Sequence, residues 1–249
     1  MELNLFLTLL TRPVQHSSGE PLQLEILQMS AARAVLWDMD GTLIDSQELH
    51  WISWRDSMAN EGKAITHEQF LSSFGQRNDS ILPLWLGAAA TPALMDRIAA
   101  AKEELYRHLI RTNGITALPG VAGWLDRLRE QGWLQAIASS APRANVEVVL
   151  DALSARRFFQ GIVSAEDVHK GKPDPQVYLS AAARLGVPPD RCIVVEDAAA
   201  GIEGARRAGM RCIAVSHNGS PMAADVVVQR LDLLQPDAFE ALLKPAEAK

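Results

Sequence analysis

The stretch AVLWDMDGTLIDSQELH, residues 34–50, sets an apolar run, Ala34 to Trp37, directly against two carboxylates one residue apart, Asp38 and Asp40. The run reads as a buried strand, and an extended chain turns residues i and i+2 to the same side. Both acids therefore leave the strand end together, before Gly41 permits a tight turn. An unpartnered buried charge is costly, so the pair must meet either water or a cation. A calcium loop is excluded, because Thr42 and Leu49 stand where an Asp or Asn and a Glu are required. For the pair in isolation, a turn with solvated acids stays open.

Outward from this stretch, short apolar runs alternate with helical periodicity from residue 117 onward. LQAIA (134–138), GIVS (161–164), CIVV (192–195), RCIAV (211–215) and VVV (226–228) read as buried strands. Between them Val121/Trp124/Leu125/Leu128, Val146/Val149/Leu150/Leu153 and Tyr178/Ala181/Ala182/Leu185 keep the spacing of one-sided helices. Strand–helix–strand repetition with uniformly apolar strands predicts an α/β fold whose parallel sheet is covered on both faces. Residues 47–116 differ, with helical patterns at Trp51/Trp54/Met58 and Leu94/Ile98/Leu105/Leu109 and no strand. They are expected to form a helical cap inserted into a core of residues 31–46 and 117–249, with ALPG at 117–120 marking the return. Residues 1–30 form an N-terminal arm whose role the sequence leaves open, and Met29 is an alternative start.

The chain of 249 residues is 48% hydrophobic and 22% charged, enough for a full core. A net charge of −6 without a Lys/Arg-rich run makes nucleic acid and anionic membrane poor partners, and points to a small solute. No apolar stretch reaches the roughly 18 residues of a membrane span, and the first residues lack a basic region and cleavage site. The expectation is a soluble, cytoplasmic protein, monomeric or a weak homodimer. Cys192 and Cys212 each open an apolar run and read as free core thiols.

Three more strand ends carry chemistry. CIVVED closes on Glu196 and Asp197, and if it neighbours the first strand, four carboxylates share one cleft. Like charges about 4 Å apart repel by roughly 4 kcal/mol at an effective dielectric near 20, so such a cluster needs a counter-cation. Oxygen-only donors favour Mg²⁺ over zinc. LQAIA closes on Ser139 and Ser140 before a helix start, which makes either an ordinary N-cap or a phosphate seat. In HKGKPDP, Lys172 is fixed between Gly171 and Pro173, where it can hold a phosphate and offset the acids.

DMDGTLIDS, the Ser139 strand end, KGKPDP and VVEDAAAGIEGARRAGM resemble, in order and spacing, the four motifs of the haloacid-dehalogenase superfamily. The helical insertion is similar to the cap of its beta-phosphoglucomutase-like and phosphatase branch. The resemblance covers about residues 33–230 and implies a Rossmann-like, doubly wound core, a mobile helical cap and Mg²⁺-dependent phosphoryl transfer.

Carried over position by position, the resemblance makes Asp38 the nucleophile that forms an aspartyl-phosphate and Asp40 the general acid/base. It assigns Mg²⁺ to the Asp38 carboxylate, the Asp40 backbone carbonyl and Asp197, with Glu196 nearby or acting through water. Ser139, with the N–H groups after it and with Ser140 as the alternative hydroxyl, would grip the phosphoryl group. Lys172 would neutralise charge, and Thr42 would add a contact. His50, Arg77 and Lys102 resemble positions with which a sugar phosphomutase binds its second phosphate and couples closure to catalysis, and each also suits a solvated cap residue. Asp40 and the Glu196–Asp197 pair argue against carbon–halogen chemistry, which needs neither. Trp37, where a smaller aromatic is commoner, and Ala198, where a serine is frequent, depart from the pattern without touching the chemistry. The expected activity is that of a phosphatase acting on a small phosphorylated metabolite of the sugar-phosphate kind. The alternatives are a beta-phosphoglucomutase-type mutase and a catalytically silent binding protein on the same scaffold.

Overall fold

Six of the apolar runs pair in parallel in the computed structural model, which describes residues 32–243. They are β1 (Ala34–Trp37), β2 (Leu134–Ala138), β3 (Gly161–Val163), β4 (Cys192–Glu196), β5 (Arg211–Val215) and β6 (Val226–Val228), in the order β3-β2-β1-β4-β5-β6. Each strand foreseen in the sequence is present, and GIVS ends one residue early, at Val163. β1 is uniformly apolar because both its faces are covered. Val35 and Trp37 pack into one cluster, Ala34 and Leu36 into another on the opposite face, and all four are fully buried. The departure at Trp37 is accommodated by a buried hydrogen bond from its indole N–H to Gln135 Oε1, 3.0 Å long.

Helices α1 (Gln47–Asn60), α2 (His67–Ser73), α3 (Asn78–Leu86) and α4 (Pro92–Asn113) lie in sequence between β1 and β2, followed by α5 (Val121–Glu130). Then come α6 (Arg143–Ala152), α7 (Gln176–Leu185), α8 (Ala199–Arg207) and α9 (Ala238–Leu243). The starts of α2 and α4 follow from local chemistry. Thr66 and Gln69 form a capping box, while the Thr91 hydroxyl caps α4 with Pro92 in its first turn. Trp54, Met58, Phe70, Ile81, Leu82 and Ile98 of the first four helices make a hydrophobic cluster of their own. Among the described residues no helix is long and apolar enough to cross a membrane. The N-terminal arm of residues 1–30 lies outside the described residues.

The face that α4 buries differs from the expected Leu94/Ile98/Leu105/Leu109 stripe. Its buried residues are Ile98, Lys102, Glu103, Tyr106 and Ile110, whereas Leu105 and Leu109 are half-buried. Burying two charges is tolerable here because they neutralise each other. Lys102 Nζ lies 2.8 Å from Glu103 Oε1, and Glu103 also accepts from Asn78 Nδ2 (2.7 Å) and from Asn145 Nδ2 on α6. Lys102 is therefore no solvated surface residue; it is 3% exposed.

Candidate active site

The strand order sets β2, β1 and β4 side by side, so the residues just past their carboxyl ends converge: Ser139 after β2, Asp38 after β1, and Glu196 and Asp197 at the end of β4. The order in which strands join the sheet reverses between β1 and β4, β2 and β3 lying on one side of β1 and β4 to β6 on the other, and in open α/β sheets ligands bind at such a switch point. Asp38 N–H continues the ladder to the Val195 carbonyl at 3.0 Å, and Ser139 N–H to that of Val163 at 3.0 Å. Lys172 comes from the loop after β3, and its buried ammonium ion-pairs with both Asp38 Oδ1 and Glu196 Oε1. Burial alone would lower the Lys172 pKa; Asp38 and Glu196 outweigh it and push the ammonium well above its usual range.

Ligand atoms of Asp38, Glu196 and Asp197 all lie within 4.8 Å of one another. Two glycines make that crowding possible. A Cβ on Gly41, whose φ is +81°, would stand 2.0 Å from Asp197 Oδ2, and one on Gly201 would stand 1.8 Å from Glu196 Oε1. Burial pushes the Asp38 carboxyl up to about 8, with Lys172 opposing and Glu196 adding to the rise. Asp197 is raised well above the carboxylate range by burial and then by Glu196 and Asp38. Three carboxylates crowded in this way, offering oxygen donors alone, fit a hard divalent cation such as Mg²⁺.

Glu196 is the most fully engaged of the three. Oε1 accepts from Lys172 and from the Tyr178 hydroxyl at 3.0 Å, and Oε2 accepts from the backbone N–H groups of Asp197 and Ala198, both at 2.8 Å. Thr42 is fully buried, and its hydroxyl faces Asp197 Oδ1 at 3.4 Å. Ser139 Oγ accepts from the Ala141 N–H at 3.0 Å, and Ser140 borders the cavity beside it.

Asp40 stands apart from the three-carboxylate cluster. Its Oδ1 accepts from Ser46 Oγ (2.5 Å) and Tyr106 OH (3.1 Å) and lies 3.0 Å from His50 Nε2. His50 and Tyr106 stack with ring centroids 4.1 Å apart. Burial works to raise the Asp40 pKa; the attraction of His50 and hydrogen bonds from His50 and Ser46 outweigh it and hold it down at about 2. Asp38, Asp40, Ser139, Lys172 and Asp197 border a cavity of about 330 Å³, which Phe74, Gln76 and Arg77 also line. Arg77 is engaged on all sides: Nε and Nη2 reach Asp79 (3.2 and 2.8 Å), and Nη1 reaches the carbonyls of Ala165 (2.8 Å) and Val168 (3.4 Å). Lys102 lines a neighbouring hollow with His50, Asp40 and Ser140 rather than this cavity.

Residues 35–215 match the model of the family described as haloacid dehalogenase-like hydrolase. The chain belongs to that family. Among the relatives of this haloacid dehalogenase-like hydrolase is hexitol phosphatase B of Escherichia coli (strain K12), 35% identical over 188 residues, which span 73% of this chain and 82% of that protein. Another is beta-phosphoglucomutase of Bacillus subtilis (strain 168), 32% identical over 213 residues, 80% of this chain and 89% of that protein. A crystal structure of a CbbY mutant from Rhodobacter sphaeroides in complex with xylulose-(1,5)bisphosphate superposes with a TM-score of 0.75 at 28% identity, covering 82% of this chain and 96% of that one. The chain is accordingly an enzyme with a hydrolase fold.

Two aromatic residues of this hydrolase reach the acids without standing out in the sequence. Tyr178 reads there as one member of an apolar stripe, yet its hydroxyl holds Glu196. Tyr106 lies four residues after Lys102, the one signal that could have placed it on the same helix face.

Proposed function

We propose that this enzyme is a Mg²⁺-dependent phosphatase of small phosphorylated metabolites of the sugar-phosphate class, acting through an aspartyl-phosphate. One observation carries the reading: Lys172 bridges Asp38 and Glu196 within a cluster that Asp197 completes, so a nucleophilic carboxylate, a fixed cation and a metal-binding set share one cavity. The phosphatase names of relatives such as hexitol phosphatase B support the substrate class. Asp38, Glu196 and Asp197, with the Asp40 carbonyl, would hold the ion. When bound, Mg²⁺ supplies positive charge that lets carboxylates and a phosphate approach one another.

In this mechanism Asp38 attacks phosphorus and the ester P–O bond breaks. Asp40 delivers a proton to the departing oxygen and then takes one from the water that cleaves the acyl phosphate. His50 and Ser46 keep Asp40 ionised in the free chain, so the proton it delivers is one it first takes from the phosphate monoanion of the substrate, and delivery returns it to the carboxylate that the second step requires. Lys172 holds Asp38 in place and offsets charge on the transferring group, while Ser139, Ser140 and the N–H groups that follow orient its oxygens. Helices α1–α4 serve as the cap that excludes bulk water, and Phe74, Gln76 and Arg77 face the leaving group.

The engagement of Arg77 by Asp79 and two backbone carbonyls favours hydrolysis over a mutase cycle, which needs a second phosphate held opposite the first. The test is phosphate release from para-nitrophenyl phosphate and a panel of sugar phosphates, with and without Mg²⁺. Incubation with beta-glucose 1-phosphate and a trace of the bisphosphate separates the alternatives. Glucose 6-phosphate formed without free phosphate would overturn the phosphatase reading in favour of the mutase.

A further inference from the structure

β1, β4 and β5 are consecutive in the sheet, so the segments that follow them stand in the same order: Asp38–Thr42, then Asp197, then Ser216 and His217. His217 reaches back across the middle segment. Its Nε2 lies 2.6 Å from the carbonyl oxygen of Gly41. A carbonyl only accepts, so Nε2 carries the hydrogen and donates it.

What this bond holds is the turn against which Asp197 rests. Gly41 must lack a side chain, since a Cβ would enter the Asp197 carboxylate, and its φ of +81° lies where glycine is favoured. The absence of a side chain that makes room for Asp197 also deprives the turn of an anchor at its tightest point, and glycine is the residue with most freedom to leave it. Inside the turn, Gly41 N–H is held by the Ile44 carbonyl at 2.8 Å. Its carbonyl is secured from outside by His217. Asp197 also borders a second, open recess of about 740 Å³, in whose wall His217 stands with Ser216 and Asn218.

We propose that His217 is a positioning residue for the metal-binding carboxylates: by donating to the Gly41 carbonyl it locks the Asp38–Thr42 turn against Asp197 and keeps Asp38 and Asp197 at coordination distance. The inference rests on the Mg²⁺-dependent reading above and extends it to a residue outside the four motifs.

The test compares the full-length wild type with His217→Ala and His217→Gln. Titration calorimetry gives Mg²⁺ affinity, para-nitrophenyl phosphate turnover is followed against Mg²⁺ concentration, and melting is recorded in EDTA. His217→Ala is expected to weaken Mg²⁺ binding at least fivefold, with a smaller loss of kcat at saturating Mg²⁺. His217→Gln, whose amide can still donate, should recover affinity to within about threefold of wild type. Unchanged Mg²⁺ affinity in His217→Ala would overturn the positioning role while leaving the phosphatase reading intact. Equal losses in both variants, matched by equal falls in Tm in EDTA, would reduce His217 to a structural residue and also overturn it. A wild type that neither binds Mg²⁺ nor releases phosphate would remove the functional reading itself, and this inference with it.

Discussion

Tyr106, on a helix inserted between the first two strands, donates its hydroxyl to Oδ1 of Asp40 at 3.1 Å and stacks its ring on His50. The acid at the end of the first strand is thus held partly by a residue 66 positions away. Replacing Tyr106 with Phe keeps the stack and removes one donor to an ionised carboxylate. A lost hydrogen bond of that kind is worth about 1–2 kcal/mol, so kcat/KM should fall on the order of five- to thirtyfold. Steady-state kinetics on para-nitrophenyl phosphate checks this, and an unchanged kcat/KM would show that Asp40 does not need the contact.

Asp38→Asn should abolish turnover, by at least a thousandfold, while the protein stays folded. An amide of the same shape cannot act as the nucleophile, and Lys172 retains Glu196 as partner. Circular dichroism alongside phosphate release distinguishes lost chemistry from lost structure. Substantial residual phosphatase activity would move the nucleophile elsewhere.

Chelation is expected to stop phosphate release, and Mg²⁺ to restore it. An ion that binds the folded chain only, at a hundred times its Kd, stabilises by about 2.7 kcal/mol, or roughly 5–10 °C in Tm for a chain of this size. Calcium at the same concentration provides the control for a merely electrostatic effect. Melting curves that ignore Mg²⁺ would contradict the acidic cluster as a metal site.

Gly41→Ala should cost both stability and activity, because the new Cβ would stand 2.0 Å from Asp197 Oδ2 at a φ of +81°. Strain of that kind is about 1–2 kcal/mol, and displacement of Asp197 should lower kcat/KM by about a hundredfold or more. Gly123→Ala, within α5 and with no neighbour inside 4 Å, is the opposite case and should stabilise by about 0.5–1 kcal/mol. Thermal denaturation of the two variants reads the contrast directly.

Asp167 gives a pH dependence away from the metal-binding acids. Burial would raise its pKa, but the Ser164 N–H (2.8 Å), then Arg184, the Ser164 hydroxyl (2.7 Å) and Arg143 (2.6 Å) hold it well below the usual range. A depressed folded-state pKa means stability that is fully present above the unfolded value, near 4, and is lost as pH falls through the lower folded value. Asp167→Asn should therefore destabilise by about 1 kcal/mol at pH 7, the half-exposed arginines limiting the effect. The gap should close progressively below pH 4. A gap that is constant from pH 7 to pH 3 would rule out the carboxylate as its source.

The chain's own order of residues determined a good deal. Ala34–Trp37, CIVV and RCIAV declared themselves strands because a strand buried on both faces has no polar side to show, and the acids, hydroxyls and Lys172 at their ends were legible as breaks in those apolar runs. The α4 face was not legible: Lys102 and Glu103 look solvated until each is seen to neutralise the other, with Asn78 and Asn145 satisfying what remains. Nor could the sequence reveal that Arg77 is engaged by Asp79 and the carbonyls of Ala165 and Val168, that Tyr178 holds Glu196, or that His217 holds Gly41. Local pattern records which residues a strand or helix must bury. Which strand lies beside which, and hence which side chains meet across tens of residues, is decided by the packing of the sheet and its helices, where every polar group taken from water must find its partner.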